Sequence, residues 1–158
     1  MSKQGFDAAI DIRAGAHSDY GSLTLLFQRP GQPGLEILDP TSTWSSVPIY
    51  PPGTESDDYP PILVNIGDLM EFWTNGLLKS TVHRVVFPEG EATDRYSIAY
   101  FCHPLDHVEI GAVPSAVIKE REKEAKGGGP EKMTAEGYLQ KRLRETYSWA
   151  KQEEATTN

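Results

Sequence analysis

The sequence predicts an all-β core followed by a helical tail, and two observations carry that expectation. Short apolar runs rich in β-branched and aromatic residues recur up to Pro114, each bounded by Gly, Pro, Asn or Asp. That spacing suits a sandwich, a barrel or a jelly roll. The character of the chain then changes. Residues 1–114 carry 6 basic and 15 acidic side chains, whereas residues 115–158 carry 9 and 8. The expected organisation is a core over 1–114 and a helical appendage over 115–158, with a flexible joint at Gly127-Gly128-Gly129.

Each element has a local reason. Ala9 to Arg13 alternates apolar and polar residues, as a half-buried strand does. Ser22 to Gln28 is rich in leucine and threonine. Leu35 to Leu38 is short and stops at Asp39-Pro40. Trp44 to Val47 supplies a further short strand. Ile62 to Ile66 is apolar and stops at Gly67-Asp68, and Leu69 to Trp73 follows as another extended run, with Phe72 and Trp73 on opposite faces, ending at Asn75-Gly76. Ser80 to Phe87 and Tyr96 to Cys102 flank a polar loop, Pro88 to Asp94. Between the strands, Ile49 to Pro61 holds Pro51, Pro52, Gly53, Pro60 and Pro61 with Glu55, Asp57 and Asp58, the composition of an exposed loop. In the tail, Thr134 can cap a helix whose apolar stripe is Leu139, Leu143 and Tyr147, with Lys141, Arg142, Arg144 and Glu145 facing elsewhere. Such a helix is expected to pack on the sheet, with a partner-binding helix as the lesser reading.

Composition excludes several function classes. The 158 residues fit one domain with a tail, and the formal charge of −8 opposes general nucleic-acid binding, which rests on cations neutralising phosphates. Cys102 is the single cysteine, so no internal disulfide framework exists. No run reaches the roughly 18 apolar residues of a membrane helix, and the first residues lack the apolar stretch of a signal peptide. The expectation is a soluble cytoplasmic protein that binds neither nucleic acid nor membrane.

Three places can carry chemistry. His17 and Asp19 are two residues apart, so an extended segment presents both to one side, as two metal ligands would be. Alone, the pair equally suits a surface loop, since Gly15, Asp19 and Gly21 form turns readily. His83 lies among β-branched neighbours in Thr81-Val82-His83-Arg84-Val85, where a lone histidine is commonly a satisfied core residue. Together with His17 and Asp19 it makes two imidazoles and one carboxylate. That set suits non-haem Fe(II) with open positions, and zinc accepts the same ligands. Finally, Arg95 and Ser97 share one face of a strand. A guanidinium there wants an anion, and the serine hydroxyl adds a hydrogen bond to a carboxylate. A strand arginine paired with a nearby acid is the plainer reading.

Order and spacing change the balance between these readings. His-x-Asp is followed by a histidine 64 residues after the Asp, an arginine 12 residues further, and a serine two beyond. This resembles the Fe(II)/2-oxoglutarate-dependent dioxygenases, in their isopenicillin N synthase-like branch. The likeness runs through Gly15 to Gln28, Gly34-Leu35-Glu36-Ile37, Trp44 to Pro48, Val64-Asn65-Ile66-Gly67-Asp68, Thr74-Asn75-Gly76, Lys79 to Val85 and Arg95 to Phe101. It covers roughly residues 10–110, and Thr134 to Tyr147 resembles a C-terminal helix of some members.

The resemblance implies a double-stranded β-helix, or jelly roll. It implies iron held by His17, Asp19 and His83, and 2-oxoglutarate as cosubstrate with its far carboxylate on Arg95 and Ser97. It implies an oxidoreductase that hydroxylates, desaturates or cyclises a small organic molecule with dioxygen, plausibly in secondary metabolism, releasing succinate and carbon dioxide, with ascorbate as an optional reductant. Each cosubstrate role has a physical reason, because Arg95 is one of six cations in an acidic core. Members of this branch carry a long region before the iron-binding segment, whereas sixteen residues precede His17 here. The core is therefore expected to be truncated at its N-terminus, with an open edge that a partner chain or self-association covers. The alternative function is a truncated, non-catalytic or partner-dependent jelly-roll module that keeps these residues. A zinc hydrolase on the same triad leaves Arg95 and Ser97 without a role.

Overall fold

A computed structural model describes residues 12–86, 94–124 and 132–156. Its strands are β1 (Ile12–His17), β2 (Leu23–Gln28), β3 (Leu35–Leu38), β4 (Trp44–Ser46), β5 (Leu63–Ile66), β6 (His83–Val86), β7 (Ser97–Cys102), β8 (Glu109–Ile110) and β9 (Met133–Thr134). The helices are α1 (Asp68–Trp73), α2 (Ala116–Glu124) and α3 (Ala135–Thr156). Most of the expected strand Ala9 to Arg13 lies outside the described residues, as do Phe87, most of the loop Pro88 to Asp94, and the glycine joint at 127–129.

The strands form a four-stranded sheet, β1-β6-β3-β4, a three-stranded sheet, β5-β2-β7, and the small ladder β8-β9. Apart from the β3–β4 hairpin, each step from β1 to β7 changes sheet. A chain that alternates in this way winds two sheets at once, which is the double-stranded β-helix or jelly roll. The hairpin turns where Asp39 Oδ1 accepts the backbone N–H groups of Thr41 and Thr43 at 2.8 and 2.9 Å, an Asx turn that explains why the strand stops at Asp39-Pro40.

Register in the four-stranded sheet decides which residues share a face. Antiparallel β6 sits centrally, pairing His17 with His83 on the β1 side and Ile37 with His83 on the β3 side. Because side chains alternate along a strand, Leu35, Ile37, His83 and Val85 point one way, while Glu36, Arg84 and Trp44 point the other. On that second face the Arg84 guanidinium lies 4.1 Å from the Trp44 ring centre and its Nε donates to Glu36 at 2.7 Å. This stack locks β6 to β3 and to the hairpin, an arrangement that spacing along the chain did not reveal.

The chain divides into two compact units that interleave in sequence. One takes the chain up to Ser18, Thr24–Asn65 and Thr81–Tyr100 and is built of strands; the other takes Asp19–Leu23, Ile66–Ser80 and the chain from Phe101 onward. The second unit has its own apolar core, in which Leu69, Ile110, Ala135 and Tyr138 are buried and Phe72, Trp73 and Met133 pack against them.

Two sequence expectations are corrected in that second unit. Leu69 to Trp73 is not a strand but most of helix α1. Leu69, Phe72 and Trp73 stand at i, i+3 and i+4, which is helical spacing, and all three reach the same core. Asp68 and Glu71 occupy the first turn, where carboxylates favour the helix dipole. In α3, Thr134 caps as expected, its Oγ1 accepting the Gly137 N–H at 3.1 Å. The buried face is different, however. Ala135 and Tyr138 are the buried residues, and Arg142 turns inward to bond Asp68 at 2.7 Å instead of facing away.

Candidate functional site

His17 ends β1 and His83 begins β6, and the two are cross-strand partners. The pairing slips twice between Ile12 and His17, so β1 is bulged. Bulges re-aim side chains next to functional sites. Here the imidazole rings stand with centres 4.4 Å apart and planes tilted by 55°. Each ring is oriented by a backbone carbonyl two residues upstream: His17 Nδ1 lies 2.7 Å from Gly15 O, and His83 Nδ1 lies 3.0 Å from Thr81 O. A carbonyl only accepts, so Nδ1 carries the proton in both rings, and Nε2 is the unprotonated nitrogen that can ligate a metal.

Asp19 follows His17 by two residues and is 7% exposed. Its backbone is held from α1. Asp19 O accepts the Asp68 N–H at 2.7 Å, Gly21 O accepts the Leu69 N–H at 3.1 Å, and Ser22 O accepts the Gly67 N–H at 3.0 Å. Three consecutive N–H groups at a helix start have no partner within the helix, and here they satisfy the carbonyls of the 19–22 turn. One ligand atom from each of His17, Asp19 and His83 lies within 4.8 Å of the others. Small rotations therefore bring all three to one ion. Two neutral imidazoles and a carboxylate are the donor set of a three-ligand face that leaves other coordination positions open, and they can hold Fe(II).

Arg95 and Ser97 are brought together on the same side of the strand that Ser97 begins. Arg95 Nη1 donates to Ser97 Oγ at 3.2 Å and Nη2 to Gln28 Oε1 at 3.4 Å. The guanidinium is half-buried and Ser97 is exposed. Gln28, at the end of β2 and therefore beside β7 in the sheet, is a partner that sequence reasoning did not single out. Its position at the strand end was visible, but its neighbour depends on the sheet order.

Nearby aromatic and acidic side chains have partners of their own. Tyr20 turns to α3, with its hydroxyl 2.5 Å from Thr146 Oγ1. Phe72 and Trp73 pack on the core of the second unit. Asp68 receives Arg142.

The family model described as the 2OG-Fe(II) oxygenase superfamily matches residues 3–104. A proline hydroxylase, BuaE, of Petromyces alliaceus is 41% identical over 140 residues, covering 86% of this chain and 41% of the relative. A 2-oxoglutarate-dependent dioxygenase, HtyE, of Aspergillus rugulosus is 37% identical, covering 87% of this chain and 41% of its own length. Among solved structures, the full-length Neurospora crassa protein crystallised with alpha-KG (2-oxoglutarate) superposes with a TM-score of 0.67 at 40% identity, over 86% of this chain and 38% of that one. A rice dioxygenase for auxin oxidation superposes with a TM-score of 0.62 at 28% identity, over 88% of this chain and 42% of its own. The chain thus spans about two fifths of the length of the curated relatives it matches.

Proposed function

The chain belongs to the 2OG-Fe(II) oxygenase superfamily, and from that premise we propose that it oxidises a small organic molecule with Fe(II), 2-oxoglutarate and dioxygen, as part of secondary metabolism. The observation that carries the reading is the convergence of His17, Asp19 and His83 within 4.8 Å. Bound Fe(II) and 2-oxoglutarate together supply dioxygen activation coupled to decarboxylation of the cosubstrate to succinate.

The chain's own residues divide the remaining work. The Gly15 and Thr81 carbonyls fix the histidine tautomers that make Nε2 a ligand. Asp19 adds the negative charge that a divalent cation needs. Arg95 offers a planar fork of donors to the far carboxylate of 2-oxoglutarate, with Ser97 Oγ beside it. Gln28, also on the guanidinium, keeps the fork from swinging away. No helix among the described residues is long and apolar enough to cross a membrane. A cytoplasmic location is part of the same proposal.

A second reading is a module that completes its site only with another chain. The exposed apolar side chains of β7, Ile98, Tyr100 and Phe101, favour it. One experiment separates the two. Purified protein is titrated without oxygen, first with Fe(II) and then with 2-oxoglutarate, while the visible charge-transfer band of a chelated keto acid is followed. The expected result is a saturable band that His17→Ala and Asp19→Ala abolish. Arg95→Ala raises the 2-oxoglutarate Kd at least about tenfold, the scale of a lost charge-assisted pair. Absence of a band from folded protein overturns the first reading and supports the second.

A further inference from the structure

The mechanism uses the carboxylate of Asp19 and assigns nothing to the C-terminal helix. Yet several contacts that fix the backbone around Asp19 lead back to that helix, beside those that Ser22 makes to the Cys102 carbonyl. The first N–H groups of α1 hold the carbonyls of Asp19, Gly21 and Ser22. The first residue of α1, Asp68, is in turn held by Arg142 of α3 at 2.7 Å. The turn is also gripped directly. Tyr20, next to Asp19, places its hydroxyl 2.5 Å from Thr146 Oγ1, and the Arg142 guanidinium sits 5.6 Å from the Tyr20 ring centre. Glu145 takes the other end of the guanidinium at 2.9 Å, which sets its orientation. A fork held at two points, over a ring and against a helix start, is a rigid connection.

We propose that α3 is a positioning helix for the metal-binding turn, with Arg142 as the positioning residue that aims Asp19 through Asp68 and Tyr20. The inference rests on the reading of His17, Asp19 and His83 as metal ligands. Groups that orient a metal ligand from behind tune affinity without touching the ion. Arg142 therefore acts on metal binding as well as on packing, and the two effects are separable. Glu71 provides the contrast. It lies on the same short helix but bonds Lys79 Nζ at 2.9 Å and the Ser80 N–H at 2.7 Å. It makes none of the contacts to Asp68 or to the 19–22 turn described above.

The test is a Co(II) titration of the full chain without oxygen at low temperature. Binding is read from visible absorption, and folding of each variant is checked by circular dichroism. Arg142→Met keeps the side-chain length and removes the fork. It is expected to raise the Co(II) Kd about tenfold, within the range seen for residues behind a ligand. Arg142→Lys keeps the charge and is expected to recover part of that loss. Glu71→Gln is expected to lower Tm with the Kd unchanged. If Arg142→Met fails to fold, Arg142→Lys against Glu71→Gln carries the same comparison. An unchanged Kd in folded Arg142 variants overturns the proposal, and so does an equal rise in Glu71→Gln. A wild-type chain that takes up no metal overturns the metal reading itself, and with it this inference, which distinguishes the two failures.

Discussion

At the scale of single residues, close backbone approach matters more than side-chain chemistry. Gly67 precedes α1, and a Cβ added there would sit 2.2 Å from Gly21 O and 2.9 Å from Asp19 O. Both obstacles are backbone, so neither can rotate away. Gly67→Ala is expected to push the 19–22 turn off the start of α1 and cost about 1–3 kcal/mol, the range for forcing atoms into filled space. Thermal melting measures that loss, and Co(II) titration of the same variant should show weaker binding, because Asp19 moves with its carbonyl. Gly34 has a similar constraint and a second one: its φ is +120° and its added Cβ would meet Val86 O at 2.4 Å. Sequence reading identified Gly67 as a strand stop, which it is, but close approach is a property of the folded partners. That His17, Asp19 and His83 belong together was legible, because His17 and Asp19 are neighbours along the chain and His83 follows at a telling distance. Gln28 beside Arg95 was not legible, since it depends on which strands are adjacent.

At the scale of elements, α1 is held to the following loop by one carboxylate. Burial raises the pKa of Glu71, but the Lys79 ammonium and the Ser80 N–H outweigh it and hold the group below its ordinary value of 4.5. The unfolded chain therefore binds this proton more readily than the folded one. The stabilisation is present above pH 4.5 and is lost as the pH falls below it, through the folded-state value. Wild-type Tm should fall more steeply below that pH than the Tm of Glu71→Gln, which has no charge to lose. A parallel slope would refute the assignment. The same helix shows why the sequence was misread there. Five residues are too few for periodicity to choose between strand and helix, and Gly67 before them and Asn75-Gly76 after them punctuate either. The spacing of Leu69, Phe72 and Trp73 was the available signal. In α3 the stripe of Leu139 and Leu143 drew attention from Ala135 and Tyr138, because a cation at Arg142 reads as solvent-facing until its acid, Asp68, is known to lie opposite. Strands β2 to β7 were legible, since alternation and turn residues are local, whereas the two-residue strands β8 and β9 are too short to leave a pattern.

At the scale of the whole molecule, charge and exposed apolar surface act against each other. The chain carries a formal charge of −8 at neutral pH, which keeps copies apart. That repulsion fades towards the isoelectric point near pH 5.0. Ile98 and Tyr100 on β7 are 71% and 61% exposed, and β7 is the last strand of its sheet among the described residues. Exposed apolar edges associate. Ile98→Thr with Tyr100→Thr keeps both charge and strand preference, and should reduce light scattering near pH 5 while shifting stability by no more than about 0.5 kcal/mol. Scattering equal to wild type would assign the association to another surface. The bulged β1–β6 pairing has a consequence for folding as well. Successive side chains on β6 point to opposite faces, so a slip of one residue turns His83 towards Trp44 and presents Arg84 where an imidazole belongs. A mispaired chain can keep nearly all its hydrogen bonds and still lose a ligand, with a cation in its place that repels the metal. On the proposed reading, iron uptake would depend on the correct alignment of these two strands, and an ion that bound the correctly paired chain alone would stabilise that pairing by mass action. The register of these two strands and the donor set are thus one requirement, met or missed together.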